Sequence, residues 1–116
     1  MEAALIIAAV IGVAAFAFTM RGLDRAALQR GFAGRIFQTP AGPMRGADLK
    51  VLRFRFERHG GNENASGLRT GWWYCEAPGP TWLVVIAQDD PVSPTRVETQ
   101  WVVRELTEER MRQAVG

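Results

Sequence analysis

Leu68 to Gln88 reads LRTGWWYCEAPGPTWLVVIAQ, two apolar runs around a single turn, and the fold follows from it. Each run is rich in aromatic and β-branched residues, and Ala77-Pro78-Gly79-Pro80 between them breaks regular structure, so two neighbouring strands are expected at Leu68–Glu76 and Thr81–Gln88. Both runs are apolar at most positions, which predicts strands covered on both faces. Trp72 and Trp73 are adjacent in one strand and must therefore point to opposite sides of the sheet.

Outward from this pair, Leu49–Arg58 alternates Leu52, Phe54 and Phe56 with Arg53, Arg55 and Glu57, the pattern of a strand with one apolar and one charged face. His59–Gly67, HGGNENASG, reads as a loop. After a turn at Asp89–Pro94, Val97, Thr99, Trp101 and Val103 alternate with Glu98, Gln100 and Arg104, which predicts a fourth strand over Thr95–Arg104. Short connections favour antiparallel neighbours, so the expected domain is a four-stranded meander. Thr107 is placed to cap a short C-terminal helix, Thr107–Ala114, with Glu108 and Glu109 in its first turn. Leu106, Met111, Ala114 and Val115 form a thin stripe that covers part of one sheet face.

The amino-terminal region reads differently. Ala3 to Met20, AALIIAAVIGVAAFAFTM, is uncharged and at about 1.5 Å per residue spans about 27 Å, close to the thickness of bilayer hydrocarbon. A cleaved signal peptide would want a basic start, which Met1-Glu2 lacks, although Ala15-Phe16-Ala17 resembles a cleavage site. The expected fold class is therefore membrane-anchored α+β: one N-terminal transmembrane helix, then a small four-stranded antiparallel sheet with a short C-terminal helix. Ala4, Ala8, Gly12 and Ala15 line one stripe of that helix, a candidate packing face. Arg21, Arg25, Arg30 and Arg35 follow it against Asp24 alone, which makes them candidate membrane-surface residues. The positive-inside rule then turns the C-terminal domain toward the cytoplasm, with an inner-membrane location. A short amphipathic helix is expected at Leu23–Arg30, interrupted by Gly31 and Gly34, and Gln38–Ala47, with Pro40, Gly42, Pro43 and Gly46, reads as a linker. This divides the chain into a membrane helix (1–21), a basic segment and linker (22–47) and a β domain (48–116).

The chain holds 116 residues, with 14 basic and 12 acidic side chains. A net charge of +2 argues against nucleic acid as a partner. Cys75 is the lone cysteine and cannot form an internal disulfide. It follows three aromatics in an expected central strand, where an inert, buried thiol is the ordinary case. His59 is the lone histidine and Glu63, four residues on, is no specific partner for it. Turn chemistry and helix capping account for Asp89-Asp90 and Glu108-Glu109. The glycines at 31, 34, 42 and 46 fit no phosphate loop, and Asn64-Ala65-Ser66 matches a glycan acceptor only formally. No catalytic residue, cofactor or metal ligand is assigned.

Four tryptophans exceed what a thin core needs, so Trp72, Trp73 and Trp101 are candidate docking residues. The functional expectation is a non-catalytic, single-pass accessory or scaffold subunit of a larger membrane complex, respiratory or photosynthetic, with the bilayer and other transmembrane subunits as partners. The alternative is an independent membrane-tethered module that binds a peptide, a lipid headgroup or a small molecule.

Overall fold

The structure is a computed structural model and describes residues 24–59 and 67–116. Helix α1 covers 24–34. The chain divides into two units, Met1–Gly31 and Phe32–Gly116. In the first, the described residues 24–31 are helical and Leu28 is buried.

The second unit opens with a hairpin of β1 (Ile36–Thr39) and β2 (Gly42–Arg45), followed by a 3-10 turn at Gly46–Asp48. A four-stranded antiparallel sheet follows: β3 (Lys50–His59), β4 (Leu68–Ala77), β5 (Thr81–Ser93) and β6 (Arg96–Leu106), in the order β3-β4-β5-β6. Helix α2 (Glu108–Val115) ends the chain, with the Arg110 amide donating to the Thr107 hydroxyl at its N-terminus.

Among the described residues no helix is long and apolar enough to cross a membrane. Asp24, Arg25 and Arg30 interrupt α1, and α2 has only eight residues, half of them charged. The expected membrane-anchored, single-pass architecture is corrected accordingly to a small α+β fold of one antiparallel four-stranded sheet with short helices. The segment 3–20 on which that expectation rested, with its stripe of Ala4, Ala8, Gly12 and Ala15, and Arg21 beside it, lies outside the described residues.

The predicted meander is present in the predicted strand order, and the differences are local. Gly31 and Gly34 do not interrupt α1, which runs on to residue 34. Residues 38–45, whose composition reads as a linker, complete a hairpin around Pro40-Ala41, with Thr39 opposite Gly42. Gly42 there takes φ +100°, a conformation open to glycine, while the Thr39 hydroxyl donates to the Gly42 carbonyl at 2.7 Å and accepts from the Ala41 amide. The second positive-φ glycine, Gly79 at +104°, turns the chain between β4 and β5 behind Pro78. Strand β5 continues through Asp89 to Ser93 where a turn was expected, and the ladder slips between Pro91 and Ser93, where proline offers no amide.

Cross-strand register fixes two faces, because paired residues project to the same side. The inner face carries Phe54, Trp73, Cys75, Leu83, Val85, Ala87 and Trp101. Trp73 is fully buried at its centre, stacked on Phe32 at 4.7 Å between ring centroids and on Phe54 at 4.9 Å. Trp101 lies 5.6 Å from Trp73 and meets Phe37 at 5.8 Å. The inner face is thus covered by Phe32, at the end of α1, and by the hairpin residue Phe37. Gly46 makes this approach possible: a Cβ there would collide with the Phe32 carbonyl, and its amide donates to the Arg35 carbonyl at 2.9 Å.

Candidate functional site

The outer face is left in two parts. At one end α2 packs across it: Met111 is buried, Arg53 Nη1 donates to the Ala114 carbonyl at 2.6 Å, and a groove of about 440 Å3 opens between Leu52, Trp82, Met111 and Val115. Leu52 reaches this groove because β3 bulges between Val51 and Arg53. Beyond α2 a row of directly paired residues, Arg55–Trp72–Ile86–Val102, crosses all four strands. Trp72 and Ile86 are half-buried and Val102 is 43% exposed. The Arg55 guanidinium lies 5.4 Å over the Trp72 ring and is itself held by Glu57 at 3.2 Å. Rows to either side are polar at their ends: Arg53, Tyr74, Val84 and Arg104 toward α2, and Glu57, Thr70, Gln88 and Gln100 on the other side.

The three tryptophans singled out from sequence therefore stand in different places. Trp73 is internal, Trp101 is half-buried beside it, and Trp72 alone belongs to the outer row. Of the arginines, Arg25 and Arg30 are exposed on α1, and Arg35 lies 5.2 Å over the Trp101 ring. His59 ends β3, and its Nε2 shares a 2.8 Å hydrogen bond with the hydroxyl of buried Thr70. That bond anchors an edge strand.

One cluster was not singled out from sequence. Asp89, its side chain 5% exposed, accepts from the Arg69 amide at 3.0 Å, from Arg69 Nε at 2.7 Å and from the Thr99 hydroxyl at 2.8 Å. Burial would raise its pKa, but the hydrogen bonds from Arg69 and Thr99 and the guanidinium charge together hold it below the ordinary carboxylate value. The signal was the register itself: Arg69 keeps phase with Trp73, and Asp89 with Val85 and Ala87. The neighbouring hollow of about 280 Å3 is lined by Gln88, Asp89, Asp90 and Gln100. Among the described residues no group of three or more His, Cys, Asp or Glu side chains could hold a metal ion.

Cys75 is fully buried, donates to the Trp73 carbonyl at 3.4 Å, and is pushed by desolvation to a pKa of about 12. At neutral pH the thiolate is scarce, and thiolate is the reactive form. We expect a thiol reagent to label the native protein at less than about one hundredth of its rate on denatured chain, since labelling must wait for opening of the core. Fast labelling of native protein at pH 8 would show that the inner face is not closed.

No protein-family model, curated protein or solved structure matches the chain.

Proposed function

We propose that the chain is a non-catalytic accessory or scaffold protein that docks a larger protein partner on the outer face of its sheet. The observation that supports this is the row Arg55–Trp72–Ile86–Val102. It runs unbroken across the sheet on the face that α2 leaves open, while the inner face is closed by Phe32 and Phe37. Tryptophan and arginine are the side chains that most often dominate binding energy, and an apolar strip with a charged rim is how such interfaces are built.

The test uses the tagged full chain. The wild-type chain should copurify with one partner in fixed stoichiometry, and Trp72→Ala should weaken that association by about 2 kcal/mol, roughly 30-fold. The melting curve should move little, because Trp72 is half-buried against Arg55 and lies outside the aromatic stack. Unchanged association with the variant would reject the outer row as the docking surface.

The alternative, a binding module for a small ligand, draws on one observation, the apolar groove beside α2. It predicts a ligand-induced rise in melting temperature that Trp82→Ala abolishes and Trp72→Ala leaves in place.

A further inference from the structure

Strand β6 is the free edge of the sheet, and apart from its ladder to β5 it makes no backbone hydrogen bond to another described element. It is eleven residues long, and the slip of the β5–β6 ladder falls opposite its start, so most of β6 runs regularly. Such an edge is a template for another strand unless it is blocked. The opposite edge, β3, is guarded: it bulges at Leu52 and carries the charged side chains of Lys50, Arg53, Arg55, Glu57 and Arg58, devices that discourage edge pairing.

We propose that β6 pairs with β6 of a second copy, antiparallel, about a two-fold axis through Trp101 and perpendicular to the sheet. An axis of this direction joins the two sheets with outer face beside outer face, so the paired residue numbers add up to an even total. With the axis at Trp101, Arg104 stands opposite Glu98 of the second copy, twice by symmetry, and Gln100 stands opposite Val102. The match is specific to this register. Moving the axis to Gln100 sets Arg104 against Arg96, and moving it to Val102 sets Arg104 against Gln100. Glu98 already has a carboxylate beside it in its own sheet, since Asp90 is its partner on β5. Like charges directly opposite one another are unfavourable. Arg96 answers one of these, at 2.7 Å from Glu98, and Arg104 of the second copy supplies the other cation. The dimer is a continuous eight-stranded sheet in which the two outer apolar rows run side by side, offset by two residues, each ending at Val102 opposite Gln100 of the second copy.

The test is sedimentation of the full chain over a range of concentrations. Wild type should dimerise, and Arg104→Glu or Glu98→Arg should each weaken dimerisation about tenfold, because each replaces two attractive cross-strand pairs by repulsive ones. The double exchange Arg104→Glu with Glu98→Arg should recover it, and no fold defect common to the single variants would be repaired that way. Register is read by cysteine: a mixture of Gln100→Cys and Val102→Cys chains should form the crossed disulfide, and either alone should form far less. Trp72→Ala should leave the dimer intact, which separates this surface from the docking row. A monomeric wild type, or a dimer indifferent to both charge reversals, overturns the proposal, as does failure of the crossed disulfide to form.

Discussion

Trp73→Ala is expected to destabilise the protein by about 3–5 kcal/mol, the usual loss for an aromatic removed from a closed core. The ring has no exposed surface and stacks with Phe32 and with Phe54, at interplanar angles of 4° and 26°. It also fills the space above Gly71, where a Cβ would come within 2.8 Å of the ring. Little of the resulting cavity can be recovered by relaxation, because Cys75, Leu83, Val85 and Ala87 around it are small or already buried. The loss also reaches the covering layer, since Phe32 and Trp101 both stack on this ring. Against a total stability of about 5–15 kcal/mol, a urea melt should show the variant near or past its limit. A midpoint shift equivalent to less than about 1.5 kcal/mol would mean that Phe32 and Phe37 do not close the inner face.

The second large effect is at Asp89. Asp89→Ala leaves the Arg69 guanidinium partly buried without its carboxylate, and removing one partner of a buried pair costs about 3 kcal/mol. The same pair gives stability a pH dependence of definite sign. The folded-state pKa of Asp89 is depressed, so its contribution is fully present above the ordinary carboxylate value of about 4 and is lost as pH falls through the lower folded value. Wild type should therefore lose stability more steeply as pH falls below about 4 than Asp89→Ala, whose acid limb should be flatter. Thermal melts of both proteins across that range read this directly. Parallel acid limbs would show that the Arg69–Asp89 contact contributes nothing net.

The sheet was legible in the sequence because the period-two pattern is strong: Leu52, Phe54 and Phe56 in β3, and Val97, Thr99, Trp101 and Val103 in β6, mark their strands without ambiguity. Adjacency alone also placed Trp72 and Trp73 on opposite faces. Which of them would be buried was not legible, since that depends on Phe32 and Phe37 arriving from a region whose Pro40, Gly42 and Pro43 read as a linker. Composition registers the propensity to break structure and misses a two-residue hairpin loop closed by Thr39. Asp89-Asp90-Pro91 misled in the same way: turn formers sit in a strand because Arg69 and Thr99 satisfy the carboxylate. The expectation of a membrane-spanning architecture rests on the length of one apolar run, 3–20, which lies outside the described residues, and the helices that the structure describes are short and charged. The candidate docking surface was legible only in part. Trp72 and Trp101 could be named, but the alignment of Arg55, Ile86 and Val102 with Trp72 is a property of register, which depends on loop lengths and a bulge.

The most direct measurement of the docking account is photo-cross-linking from inside the outer row. A benzoyl-phenylalanine placed at Ile86 in the tagged full chain should join it to one protein partner in high yield, because Ile86 is flanked by Trp72 and Val102 at the centre of the open face. The same probe at Gln38, exposed on the hairpin that covers the other face, should give no such product. A partner captured equally well from both positions, or from Gln38 alone, would contradict docking through the outer face.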